Sequence, residues 1–175
     1  ILGHYDLLLQ VLANLVGNAL KFTEYGGKVV IRAYLLESEL NFKKIPQLTP
    51  QLEEKPGEII EAEKDREEGW RMTPHPYFSA AQNSSLDRSP KMVRIEISDT
   101  GSGIEPKDQQ AIFERFYRVE NRVHTLEGTG LGLSIVKNII EKHHSKVNLV
   151  SEVGVGTTFW FDLTVFNNEQ LTINN

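Results

Sequence analysis

KMVRIEISDTGSGI, residues 91–104, alternates apolar Val93, Ile95 and Ile97 with charged Arg94 and Glu96, then runs into an acid and two glycines. The alternation predicts a half-buried strand over residues 91–98. Asp99 therefore stands at a strand end, and Gly101 and Gly103 fall in the tight turn that follows it. Glycine lets backbone approach a flat ligand closely, and a carboxylate can accept from an exocyclic amine such as that of adenine. Asp-x-Gly-x-Gly is also a good turn with no ligand at all, so this stretch alone leaves the function open.

Working outward, the segment from Tyr5 to Phe22 repeats apolar residues at three- and four-residue intervals, through Leu8, Leu9, Leu12, Leu15, Val16, Ala19 and Leu20. That spacing predicts an amphipathic helix, stopped by Gly26 and Gly27. Residues 28–36 read as a strand that pairs with 91–98 as a hairpin. Pro106 suits a first helical turn, so a second helix is expected near 107–117. A third follows the glycines at 128–132 and runs to about His143. Two closing strands, near 146–151 and 157–166, flank the turn Gly154-Val155-Gly156. Helices on one face of a mixed sheet make an α+β, two-layer sandwich.

The chain of 175 residues is 39% hydrophobic and 25% charged, the range of a single soluble globular domain large enough to bury a core without staples. It has no Cys, which excludes disulfides, thiolate chemistry and cysteine zinc sites and favours a cytoplasmic setting. No run of about 18 apolar residues and no basic-then-apolar leader is present, so neither a membrane span nor direct membrane contact is expected. Six of the seven prolines lie in residues 37–90, together with 11 acidic and 7 basic residues. That stretch carries −4 of the net charge of −5. It reads as a long Pro-rich acidic insert at the tip of the hairpin, with a short charged helix near 58–68. A small folded subdomain is the alternative, since Trp70, Tyr77 and Phe78 need somewhere to pack. The rest is nearly neutral, so the case against nucleic acid rests on its motifs.

A second glycine segment, Gly128-Thr129-Gly130-Leu131-Gly132-Leu133, leads straight into an apolar helix. N-H groups and the dipole at such a junction suit phosphate oxygens. A ligand-free glycine hinge fits the same residues. This is not a Walker loop, which needs Lys-Ser or Lys-Thr after the last glycine, and it does not follow a strand as a Rossmann loop does. On the first helix Asn14, Asn18 and Lys21 are four and three apart and share a face. Two carboxamides and an ammonium there suit Mg²⁺ and phosphate, or simply give that face polar cover.

Taken together the segments resemble a known family. Asn14 to Thr23 is similar to the N box of sensor histidine kinases and Asp99 to Gly103 to their G1 box. Phe113-Glu-Arg-Phe-Tyr-Arg118 matches the F box and Gly128 to Leu133 the G2 box. Gly154 to Phe159 resembles the glycine segment that closes the domain. The resemblance covers roughly 120 residues and implies the catalytic, ATP-binding domain of a two-component histidine kinase, with the Bergerat α/β sandwich shared by gyrase and heat-shock chaperones. The insert extends the likeness to cyanobacterial or plastid sensor kinases of the nonbleaching, stress-response type.

The resemblance also implies roles. Asn18 would hold Mg²⁺ and Asn14 would support it, with Lys21 on the phosphates and Phe22 beside the nucleotide. Asp99 would accept from adenine, Gly101 and Gly103 would shape the base pocket, and Thr158 would reach the base through water. Arg118 would approach the γ-phosphate. Gly128, Thr129, Gly130, Leu131, Gly132 and Leu133 would form the phosphate loop beneath a lid near 119–127. Hydrolases of this superfamily carry Glu at the place of Asn14, and an amide cannot take a proton from water. The implied nucleophile is thus a histidine of a separate dimerisation domain, with a response regulator acting downstream. A nucleotide-binding regulatory module whose insert binds a partner is the other reading. The family's acceptor is His followed by Glu or Asp, which none of His4, His75, His124, His143 and His144 is. The 175 residues are therefore expected to be a monomeric piece of a longer, homodimeric kinase.

Overall fold

A computed structural model describes residues 4–36, 58–65, 69–74, 91–119 and 129–165. The element order is α1 (Tyr5–Phe22), β1 (Lys28–Leu36), β2 (Glu58–Asp65), β3 (Gly69–Pro74), β4 (Lys91–Asp99), a 3-10 turn at Ala111–Phe113, α2 (Gly132–Lys142), β5 (Asn148–Glu152) and β6 (Gly156–Val165). The strands form one six-stranded sheet in the order β3-β2-β1-β4-β6-β5. The architecture is the expected α+β sandwich.

The sheet expected to be mixed is antiparallel at each of its described pairings. The crossover through α2 does return β5 parallel in direction to β4. Yet β6 folds back between the two, so no parallel strands become neighbours.

β1 pairs with β4 in the register Val29↔Asp99, Ile31↔Ile97 and Ala33↔Ile95, the hairpin that the alternation calls for. Asp99 pairs in turn with Thr157 on β6. Side chains of paired residues share a face, so Val29, Ile97, Phe159, Phe161 and Leu163 turn toward the helices. There they join Val11, Leu15 and Ala19 of α1 and Val136, Ile139 and Ile140 of α2 in one core. On α1 the buried stripe is Val11, Leu15 and Ala19, each one turn apart, while Leu9 is 51% exposed. Leu9 sits two residues from Val11, about 200° around the helix, and so faces away from the core.

Two expected helices are absent. Residues 58–65 and 69–74, within the insert, form β2 and β3, and β2 pairs with β1 from Lys28↔Glu63 to Ala33↔Glu58. The free edge of β1 supplies backbone partners that a charged helix near 58–68 could not use. The remaining insert residues, 37–57, 66–68 and 75–90, with Tyr77 and Phe78, lie outside the described residues. Residues 107–117 contain only the 3-10 turn, because Glu114 is extended at φ −78°, ψ 149° and Phe116 is left-handed at φ 64°. Side-chain bonds set this path: Tyr117 donates to Asp108 at 2.7 Å within the segment, and Gln109 donates to the carbonyls of Ile104 and distant Ser151 at 3.1 Å each.

The sheet face away from the helices carries a buried charged network. Arg94, 1% exposed, reaches Asp162 with two hydrogen bonds of 2.7 and 2.9 Å. Tyr34 donates to Glu96 beside it, and burial followed by this bond pushes the Tyr34 hydroxyl above the ordinary phenol range.

Candidate functional site

The acid at the end of β4 is buried, and its surroundings are built by the turn that follows. Gly101 N donates to Asp99 Oδ1 at 2.9 Å, a bond that fixes the orientation of the carboxyl. Burial pushes the Asp99 carboxyl up to about 6, against the opposing pull of the backbone N-H groups of Gly101 and Thr157. Gly103 has φ 65° and passes so close to the Glu152 carbonyl that a Cβ would collide with it, which closes the turn against the β5–β6 hairpin.

The same turn touches the end of α1. Ser102 N donates to the Phe22 carbonyl at 3.3 Å, and a Cβ at Gly101 would lie 2.5 Å from that oxygen. Thr23 ends the helix by returning both its N-H and its hydroxyl to the Ala19 carbonyl. Lys21 and Phe22 are thereby held beside the Asp99 turn.

A cavity of about 400 Å³ opens between these parts. Asp99, Ser102, Gly103 and Ile104 line it from the β4 turn, Asn14, Asn18, Lys21 and Phe22 from α1, and Thr129, Gly130, Gly132 and Leu133 from the start of α2. Arg118, Val119 and Glu105 also line it. Asn14 Nδ2 donates to the Gln10 carbonyl at 2.9 Å, and its Oδ1 lies 2.8 Å from where a Cβ on Gly132 would stand. The amide and the amino end of α2 are therefore in direct contact. A helix amino end carries positive potential and N-H donors, so this wall is suited to anionic oxygens. Lys21 and Arg118 add two cations to it. Among the described residues no group of three or more His, Cys, Asp or Glu could hold a metal ion. The carboxamide oxygens of Asn14 and Asn18 are the cavity's neutral side-chain donors toward a cation on α1, and the carboxylates of Asp99 and Glu105 also line it.

Most of the residues expected at a site come together here. Three do not line the cavity. Gly101 packs against the Phe22 carbonyl, and Leu131 caps α2, its carbonyl taking bonds from Ser134 and Ile135. Thr158 is fully buried and donates to Ser98 Oγ at 2.9 Å on the opposite face of the sheet. Strand alternation puts Thr157 on the cavity side in its place. Gly128 and residues 120–127 of the expected lid lie outside the described residues, as do His75 and His124. Tyr117, Ala13 and Gly17 also line the cavity. Gly17 follows Asn14 by three and precedes Lys21 by four, a helix-face signal present in the sequence.

Gly132→Ala gives the contact between α2 and Asn14 a direct test. Alanine favours a helix over glycine by up to ~1 kcal/mol, and the atom it would crowd is the movable end of a side chain. The melting temperature is expected to hold or rise slightly while nucleotide affinity falls about tenfold, as calorimetry would read.

Helices over one face of an antiparallel sheet, with an acid-and-glycine turn and a glycine-led helix sharing one cavity, define the Bergerat class of ATP-binding fold. Residues 77–166, half of the chain, match the family described as histidine kinase-, DNA gyrase B-, and HSP90-like ATPase, and the chain belongs to that family. It is 51% identical over 172 residues to Drug sensory protein A of Synechocystis sp., an alignment that takes in 98% of this chain and 20% of that protein. The likeness to cyanobacterial sensor kinases fits this relative. The chain thus spans about a fifth of the length of the curated relatives it matches. Among solved structures, the mycobacterial sensor histidine kinase MprB superposes with a TM-score of 0.54 at 22% identity, over 93% of this chain and 72% of that one. Full-length ShkA in complex with AMPPNP gives 0.50 at 26% identity, over 92% of this chain and 22% of that one.

Proposed function

We propose that the chain is the catalytic domain of a sensor histidine kinase, a single domain interrupted by the insert at 37–90. It binds ATP with Mg²⁺ and passes the γ-phosphoryl group to a histidine on a separate dimerisation domain of the parent homodimer. The observation that carries this reading is one cavity that joins buried Asp99 to Asn14, Lys21, Arg118 and the amino end of α2.

Asp99 would accept from the exocyclic amine of adenine, its geometry set by Gly101 N-H. Phe22 would lie beside the nucleotide. Lys21, Arg118 and the N-H groups of residues 129–133 would neutralise the phosphates, and Arg118 would meet charge that develops during transfer. Asn18 supplies a neutral oxygen and Asn14 stands one turn earlier. This donor set fits Mg²⁺ that takes its remaining ligands from phosphate and water, and bound there the ion would neutralise charge between phosphates. An amide at Asn14 offers no base for water, which favours transfer over hydrolysis. In the transfer the bond from the γ-phosphorus to its bridging oxygen breaks, a bond to an imidazole nitrogen forms, and ADP leaves.

No helix among the described residues is long and apolar enough to cross a membrane. A cytoplasmic site of action, with a response regulator as the eventual phosphate acceptor, completes the proposal. The test is calorimetry with ATP and Mg²⁺, followed by incubation with γ-labelled ATP. Binding without label on the chain's own histidines is expected. Acid-labile phosphate on His143 or His144 would contradict it.

A further inference from the structure

The insert is tied to the wall of the cavity by one residue of β2. Lys64 N donates to the Gly27 carbonyl at 3.1 Å, and its own carbonyl accepts from Gly26 N at 2.8 Å. Its ammonium reaches back to the Thr23 carbonyl at 2.8 Å and sits 5.3 Å from the centre of the Tyr25 ring. Thr23 is the buried residue that closes α1, directly after Lys21 and Phe22, which line the cavity. From the other side Thr100 holds the same turn: its N-H donates to the Lys28 carbonyl at 3.0 Å, and its hydroxyl accepts from Lys28 N at 2.8 Å. The turn from Phe22 to Lys28 is therefore gripped between the Asp99 loop and Lys64.

We propose that Lys64 is a positioning residue for the nucleotide cavity, through which the β2–β3 hairpin of the insert sets the placement of Lys21 and Phe22. The inference rests on the nucleotide reading of the cavity. A charged donor on a buried carbonyl is among the stronger hydrogen bonds of a fold. The Thr23 carbonyl lies at the carboxyl end of α1, where the helix dipole also favours a cation. The ammonium thus holds the last turn of the helix at the point from which two cavity residues project. The hairpin is in this sense part of the site and not an appendage of the sheet.

The test is ATP affinity, by calorimetry on the whole chain, for the unaltered protein, Lys64→Met, Lys64→Arg and the control Arg94→Met, with melting temperatures alongside. Arg94 lies on the opposite face of the sheet, so its loss lowers stability without touching the cavity. Lys64→Met is expected to weaken ATP binding about tenfold, Lys64→Arg to recover most of that loss by keeping a donor near the Thr23 carbonyl, and Arg94→Met to bind as the unaltered chain does. Unchanged affinity in Lys64→Met, or an equal loss in Arg94→Met, would overturn the proposal. Failure of the unaltered chain to bind ATP would overturn the nucleotide reading itself, and this inference with it.

Discussion

Asp99→Asn is expected to lower ATP affinity about 100-fold, in the range of losing a buried hydrogen bond to a charged group. Gly101 N-H holds Oδ1 in place, so an asparagine keeps its oxygen there and turns its amino group toward the ligand. A donor would then face the donor of adenine. The pH dependence carries a second signature. Burial raises the Asp99 carboxyl to about 6 from an ordinary 3.8, so the folded chain holds that proton more tightly than the unfolded chain does. The stability Asp99 contributes in the nucleotide-free protein is present in full below about pH 4 and is lost as pH rises through 6. The difference is of order 3 kcal/mol. ATP binding runs the other way and weakens as pH falls through 6, because the neutral carboxyl is the poorer acceptor. Urea melts and calorimetry between pH 4 and 8 would show both trends in the unaltered chain, and neither in Asp99→Asn.

Arg94→Met is expected to be the most destabilising single change, by about 3–5 kcal/mol. Arg94 is buried and makes two bonds to Asp162, whose side chain is 20% exposed, and buried Glu96 lies next to it in contact with Tyr34. Removing the guanidinium takes from Asp162 the cation it is bonded to and leaves it near Glu96, a second, buried negative group. Exchanging both ends of the pair, in Arg94→Met with Asp162→Leu, should recover most of the loss, since an apolar pair of similar volume is often no less stable than a buried ion pair. The coupling in a double-mutant cycle of thermal melts is the check. If the double variant is as unstable as the sum of the single ones, the pair does not act as a unit.

The parts legible in the sequence are those whose signal is local. The 18 residues of α1 and the strands β1 and β4 follow from periodicity, and the match between their faces sets the hairpin. β2 escaped because Glu58 to Asp65 mixes charge with only Ile59, Ile60 and Ala62, and what makes it a strand is the edge of β1, a partner distant in sequence. Residues 107–117 escaped because the bond of Tyr117 to Asp108 inside the segment and that of Gln109 to distant Ser151 outweigh helix propensity. In the cavity, Asn14, Asn18, Lys21, Asp99, Gly103 and Gly132 were readable from motif and spacing. Thr158 for Thr157 was an error of parity, since one residue along a strand reverses the face. The raised carboxyl of Asp99 was beyond reach because burial is a property of the assembled fold. So was the contact of Lys64 with Thr23, which joins an insert to a helix 41 residues earlier.

The most direct measurement combines the chain with a histidine-bearing dimerisation domain of a sensor kinase, γ-labelled ATP and Mg²⁺, and follows the label with and without Asp99→Asn. Acid-labile phosphate on the dimerisation domain's histidine, dependent on Asp99 and accompanied by little free phosphate, is the result expected. Steady release of free phosphate by the chain, abolished by Asp99→Asn and with no label on any histidine, would contradict the account and make the cavity that of a hydrolase.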